Sequence, residues 1–252
     1  MKNHFYMSYA GNKRNECKEL YDMIDFRNCK IFIEPFAGSC AVSYYTWLKQ
    51  PNLKFILNDE NKYLKEMFIL LKDEEKIDKF HNDYKELMKD IDKEKYNIIC
   101  KKDDILSWYI KNKIYSIRAG LFPLKLSTTH KESNLRAYPI YQFFKNADID
   151  FITGDGVILL DEYKNNKEAV IFIDPPYINT CNQFYDYQKL NRNNIYEYLS
   201  INDINLFDCL IYGIFENNWI IKLLFNNKIK YSYDKKYECS KKKTTHLIIS
   251  NI

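Results

Sequence analysis

Lys30-Ile31-Phe32-Ile33-Glu34-Pro35-Phe36-Ala37-Gly38-Ser39-Cys40 is the stretch whose reading decides the fold. A short apolar run, Lys30 to Ile33, stops at a turn carrying Pro35 and Gly38. A helix-like stretch follows from Ser39 to Lys49, and a second apolar run, Leu53 to Leu57, ends at Asn58-Asp59. Strand, turn, helix and strand in that order describe a parallel βαβ unit, because parallel neighbours need a crossover that a helix supplies. Upstream, the loop Tyr9-Ala10-Gly11-Asn12-Lys13-Arg14 runs into an amphipathic helix from about Asn15 to Ile24. Downstream, strand signals recur at Asp150 to Thr153, Val170 to Ile173, Leu210 to Ile214, Ile229 to Tyr233 and His246 to Ile249. From about Asn61 to Lys145 the character changes to charged, helical stretches, Leu64 to Leu71 and Ile77 to Ile91, expected to be largely solvated. The expectation is an α/β protein: a doubly wound sheet interrupted by a helical insertion. Residues 1–60 and 149–252 then form the core unit and 61–148 the insertion.

Composition narrows the class. The 252 residues are 46% apolar and 29% charged, the balance of a globular chain large enough for a substantial core. No apolar run approaches the roughly 18 residues of a membrane span, and Met1 to Ala10 shows no basic-then-apolar leader. The seven cysteines are odd in number, with no CxxC pair and no histidine at ligand spacing. That pattern argues for a reducing, intracellular setting with neither a disulfide framework nor a metal site. A net charge of +4 is too mild to announce a nucleic-acid partner by itself. Glycine is scarce, six residues against about 18 at average usage, so where glycines and prolines remain is informative.

Two turns carry the chemistry. At the end of the first strand, Gly38 lets the backbone approach a ligand, and the helix that follows offers unpaired N–H groups. Asp59 lies 21 positions after Gly38, at the tip of the next strand, where a carboxylate can accept from ribose hydroxyls. A tight strand-to-helix turn with a surface aspartate fits the same residues. The second turn, Asp174-Pro175-Pro176-Tyr177, follows an apolar strand directly. Two prolines fix φ and remove donors, so the turn presents a carboxylate, a carbonyl and an aromatic face in a rigid space. An amino group on a flat ring fits there, donating to Asp174 and the Pro175 carbonyl while Tyr177 stacks on the ring.

In order along the chain, these segments resemble the Dam-like, D12 class of adenine-specific DNA N6-methyltransferases. Tyr9 to Lys13 is similar to that family's amino-terminal motif, Glu34 to Gly38 to its cofactor motif, and Asn58-Asp59 to its ribose-binding acid. Gly154-Asp155 resembles the acid that contacts the cofactor's adenine, Asp174 to Tyr177 the catalytic motif, and Lys243 to Asn251 the last strand. Cys40 stands where the family usually has a second glycine. The resemblance implies a Rossmann-like, S-adenosylmethionine-dependent methyltransferase sheet, mostly parallel with an antiparallel last strand, its cofactor held by Tyr9, Ala10, Gly11, Lys13, Glu34, Pro35, Phe36, Gly38, Ser39, Cys40, Asp59, Asp155 and Asp174. It implies catalysis at Asp174, Pro175, Pro176 and Tyr177, on an adenine flipped out of double-stranded DNA, with residues 61–148 as the target-recognition insertion. Any restriction nuclease would be another chain, since no nuclease-like region is evident.

The basic run near the C-terminus includes Lys228, Lys230, Lys235, Lys236, Lys241, Lys242 and Lys243, interleaved with tyrosines. It reads as a hairpin beside the catalytic turn whose lysines bind phosphates, or as a solvated edge hairpin guarded by charge. In the insertion, Arg118, Lys125, Asn134 and Arg136 are candidates for DNA contacts. Trp108 and the stretch Tyr138 to Phe144 read as core. The same turn chemistry would also serve RNA adenine or cytosine N4, and a catalytically silent DNA-binding scaffold is the reading from another class.

Overall fold

The computed structural model describes residues 4–5, 11–114, 134–177, 193–236 and 243–252. Its elements run α1 (Cys17–Met23), β1 (Ile31–Glu34), α2 (Ala41–Lys49) and β2 (Lys54–Asn58), the expected βαβ unit. There follow α3 (Lys62–Leu71), α4 (Glu74–Lys89), α5 (Lys93–Ile99), α6 (Ile105–Ile114) and a 3-10 turn (Leu135–Ala137). Next come α7 (Ile140–Asn146), β3 (Asp148–Ile152), α8 (Gly156–Tyr163), β4 (Ala169–Ile173) and α9 (Asn193–Ile201). After a second 3-10 turn (Ile204–Leu206), β5 (Leu210–Glu216), α10 (Trp219–Leu224), β6 (Ile229–Lys236) and β7 (Lys243–Ser250) complete the chain.

Among the described residues seven strands form one sheet in the order β3-β2-β1-β4-β5-β7-β6. β1 pairs in parallel with both β2 and β4, so Ile33 sits between Ile56 and Ile171. β7 runs antiparallel to β5 and to β6, as the expected antiparallel last strand requires. The order reverses at β1, whose crossovers lead one way to β2 and β3 and the other way to β4 and β5. Ligands in such sheets bind beyond the carboxyl ends of the strands at that reversal. The turns after β1 and β4 are therefore side by side.

Side chains alternate across each strand, and that alternation divides the core in two. Phe32, Phe55, Leu57, Phe172 and Ile214 face one side, against α1 to α7. Ile33, Ile56, Ile171, Ile211 and Ile249 face the other, against α8, α9 and α10. Central β4 is buried on both faces, whereas edge strand β3 alternates exposed Asp148 and Asp150 with buried Ile149 and Phe151. Each large apolar side chain fully removed from water contributes roughly 1.5–3 kcal/mol before the entropy of ordering is subtracted.

The helices of the insertion are not solvated all round. α4 buries Ile77, Phe80, Tyr84 and Met88, a three- and four-residue spacing that puts them on one stripe, with its charges on the other side. Trp108, Tyr141, Phe143 and Phe144 are buried in the same cluster as Phe32 and Phe55. The described part of the insertion thus shares a core with one face of the sheet. Local capping fixes where these helices start: Asn61, Asp73 and Asp92 each accept a backbone N–H of the first turn. Among the described residues no helix is long and apolar enough to cross a membrane.

Candidate active site

The turn after β1 is held from below by Asn58. Its Nδ2 donates to the Pro35 carbonyl and to the Gly154 carbonyl, 2.9 Å each, which ties together the turns after β1, β2 and β3. Ala37 N donates to Asn58 O at 2.8 Å, and Gly38 N to Asp59 Oδ2 at 2.8 Å. Asp59 Oδ1 takes the N–H of Asn61 at 2.9 Å, and burial raises its carboxyl to about 6. Gly38 (φ 48°) is left-handed, which a glycine adopts freely. Cys40 (φ 56°) is left-handed without being glycine, at roughly 1–2 kcal/mol of strain, and its side chain is buried. A backbone built for glycine is thus kept where glycine itself is missing.

Two more residues of this turn have structural partners. Glu34 points inward, 3% exposed, and its Oε2 accepts from the Ser43 N–H at 3.1 Å and from the Ser43 hydroxyl. Burial pushes Glu34 up to about 8, against the opposing pull of the Ser43 hydrogen bonds. Gly156 opens α8 against Phe36: a Cβ there would lie 2.6 Å from Pro35 O and 2.8 Å from the Phe36 ring. Asp155, just before it, caps α8 by accepting Val157 N at 2.9 Å.

β4 delivers Asp174 to the adjacent turn. Lys13 pairs with Asp174 Oδ2, and its Nζ also donates to Gly11 O at 2.9 Å, where Gly11 (φ 75°) is left-handed. The Lys13 and Asp174 side chains are only 5% and 17% exposed. Tyr177 donates to Asp174 Oδ1 at 3.2 Å, and Lys13 Nζ lies 5.6 Å from the Tyr177 ring centre. The Tyr196 hydroxyl of α9 donates to Pro176 O at 3.1 Å, bracing the two prolines from the opposite face of the sheet.

Sequence reasoning missed what lies behind Tyr177. Its ring stands edge-on to His246 of β7, centroids 5.2 Å apart, and Tyr233 of β6 stands against the same imidazole at 5.4 Å. Glu16, just ahead of α1, closes the cluster by pairing with Lys235 at 2.6 Å. The β6–β7 pair lies beside the Asp174 to Tyr177 turn. No spacing or motif could have revealed this group, because its members come from residues 16, 177, 233, 235 and 246.

The structure places the remaining candidates as follows. Lys235 faces inward, 15% exposed and paired with Glu16, and burial lowers its ammonium pKa. Arg136 pairs with Asp78 at 2.6 Å and donates to Glu74 O at 3.0 Å, while Asn134 caps the 3-10 turn by accepting Arg136 N at 3.1 Å. Lys236 and Lys243 are backbone register partners of β6 and β7. Tyr9, Ala10, Arg118, Lys125, Lys241 and Lys242 lie outside the described residues. Ser39 is half-buried in the β1 turn. Among the described residues no cluster of His, Cys, Asp or Glu is arranged to hold a metal ion.

A mostly parallel sheet whose order reverses at β1 sets the β1 turn and the Asp174 turn side by side at the reversal, where α/β sheets bind their ligands. The family model described as D12 class N6 adenine-specific DNA methyltransferase matches residues 9–122. That match supports an adenine-specific DNA methyltransferase, and it spans Lys13, the β1 turn, Asp59 and α1 to α6. A solved structure described as that of an antibiotic related methyltransferase is similar over 98% of both chains, with 12% identity and a TM-score of 0.37. No curated protein matches the chain.

Proposed function

We propose that this chain transfers a methyl group from S-adenosylmethionine to N6 of an adenine flipped out of double-stranded DNA. The observation that carries the reading is the Asp174 turn at the carboxyl end of β4, beside the β1 turn and braced by Lys13 and Tyr196. The cofactor fits the residues present. Asp59 accepts two local N–H groups, from Gly38 and Asn61, and a carboxylate has acceptor positions beyond two for ribose hydroxyls. Gly38, left-handed and without a side chain, adds no Cβ to the β1 turn where a ligand would approach. Tyr9, Ala10, Gly11, Lys13, Glu34, Pro35, Phe36, Gly38, Ser39, Cys40, Asp59, Asp155 and Asp174 would hold the cofactor, which supplies an electrophilic methyl on a sulfonium.

The chain's own residues must then position a weak nucleophile. Conjugation with the ring ties up the lone pair of the adenine amine. Hydrogen bonds from that amine to Asp174 and to the Pro175 carbonyl draw the lone pair out of the ring plane. Lys13 fixes one Asp174 oxygen, so the incoming amine engages Oδ1, where Tyr177 is the long 3.2 Å donor. As the N–CH3 bond forms, the nitrogen sheds a proton, and Asp174 is the acceptor in reach. The contribution is positioning and fixed charge. Flipping costs a few kcal/mol of unstacking.

Residues 61–148 would recognise the target, on the core unit of 1–60 and 149–252. Arg118, Lys125, Asn134, Lys236 and Lys241 to Lys243 would contact the DNA, and Arg136 and Lys235 would have to leave Asp78 and Glu16 to join them. The test is incubation with methyl-labelled S-adenosylmethionine and unmethylated AT-rich DNA, followed by digestion to nucleosides. Label in N6-methyladenine that disappears in Asp174→Ala supports the reading. Label in cytosine or only in RNA would move the substrate, and absence of cofactor binding would leave a scaffold.

A further inference from the structure

Glu34 ends β1, directly before the β1 turn, and is 3% exposed. The Ser43 N–H and the Ser43 hydroxyl both donate to its Oε2, and its Oε1 accepts no hydrogen bond among the described residues. No lysine or arginine pairs with it there either. Lys13, whose charge does reach it, is paired with Asp174. An anion buried this deeply without a cation of its own is costly, and a carboxyl in that position keeps its proton instead.

The groups that bear on Glu34 come from four elements. Lys13 of the amino-terminal loop and Asp174 at the end of β4 act on it in opposite directions. Cys17 of α1 and Cys40 of the β1 turn are thiols that burial holds protonated. Burial outweighs the Ser43 hydrogen bonds and carries Glu34 up to about 8. S-adenosylmethionine has a sulfonium and an ammonium against a single carboxylate, so it enters the site as a net cation.

We propose that Glu34 is a proton-linked counter-charge for the cofactor: neutral in the cofactor-free chain, it gives its carboxyl proton to solvent when S-adenosylmethionine binds. The inference rests on the proposed cofactor. The carboxyl O–H bond breaks, the proton passes to buffer, and no other bond changes. The cofactor-free chain thus holds no unpaired buried anion at this position, and the loaded chain has a carboxylate where positive charge arrives. A proton lost on binding makes binding tighten as pH rises towards the pKa of the free chain. Asp59, which burial raises to about 6, titrates below that range.

Calorimetry of the whole chain with S-adenosylmethionine, at about pH 7 in buffers of different ionisation enthalpy, counts the protons released. Close to one proton per cofactor leaves the wild type and close to none leaves Glu34→Gln, whose amide oxygen still accepts from Ser43. The wild-type dissociation constant falls about fivefold from about pH 7 to 8, and that of Glu34→Gln stays level. Carbon NMR of the glutamate-labelled wild-type chain reads the same proton without a variant. One side-chain carboxyl titrates near pH 8 in the cofactor-free chain and is ionised from about pH 6 upward once the cofactor saturates it. Glutamates that all titrate below about pH 6 in the cofactor-free chain overturn the proposal, as does equal proton release by wild type and Glu34→Gln. Binding without proton release overturns this inference alone. Absence of binding at every pH overturns it together with the proposed function.

Discussion

Asp174→Asn tests the site most directly, because one atom pair changes and two quantities respond. The Lys13–Asp174 pair is nearly dry, with side chains 5% and 17% exposed. Removing one partner of a buried pair costs about 3–5 kcal/mol, because the other charge is left uncompensated. Here Lys13 keeps the Gly11 carbonyl at 2.9 Å and the Tyr177 ring at 5.6 Å, and asparagine still offers a carbonyl oxygen. The expected loss is therefore smaller, about 2 kcal/mol, or about 4–8 °C in Tm for a chain of this size. The kinetic loss is larger. A neutral amide accepts from the substrate amine less strongly than a carboxylate, and losing one preorganised electrostatic group costs about 10²–10³ in kcat. Thermal melts, cofactor titration and single-turnover methylation of DNA measure these separately. Wild-type kcat in Asp174→Asn would refute the assignment of Asp174 as the acceptor. An unchanged Tm would refute the energetic weight given to the ion pair.

Gly156→Ala should destabilise by about 1–3 kcal/mol in urea titrations, since the new Cβ sits 2.6 Å from Pro35 O and backbone must shift. Asn58→Ala removes both Nδ2 hydrogen bonds, costing about 1–3 kcal/mol at the buried Pro35 carbonyl and less at the half-buried Gly154 carbonyl, and should weaken cofactor binding in calorimetry as the β1 and β3 turns separate. Glu34 has a folded pKa near 8, above its ordinary 4.5, so its contribution is full below about pH 4.5 and is lost as pH rises through 8. Glu34→Gln should therefore flatten the fall in stability between pH 5 and 8 by at least about 1 kcal/mol, read from urea midpoints at the two pH values.

Most of the sheet was legible because its signals are local. Ile31 to Glu34 and Ala169 to Ile173 are short, apolar and ended by Pro-containing turns, and a central parallel strand needs no more. The β1 turn, Asp59 and the Asp174 turn were found as sequence motifs, and the reversal at β1 brings the first and last of them together. The insertion was read less well. Its charge density suggested solvated helices, yet Ile77, Phe80, Tyr84 and Met88 form a buried stripe, because one face of an amphipathic helix is enough to join a core. Lys235 looked like a phosphate binder within a basic run, and only packing could show that it turns inward to Glu16.

The sequence by itself determined the class of fold and the two chemical turns, since a strand period, a proline pair and a glycine act over a few residues. Only the tertiary structure decided what braces Asp174 and Tyr177. Lys13, Glu16, Tyr233 and His246 reach that turn from up to 161 positions away, through the pairing of β7 with β5 and β6 and the contact of the amino-terminal loop with β4. Hydrogen bonds and desolvation depend on which atoms meet and how dry they are, and a sequence states neither until the chain has closed on itself.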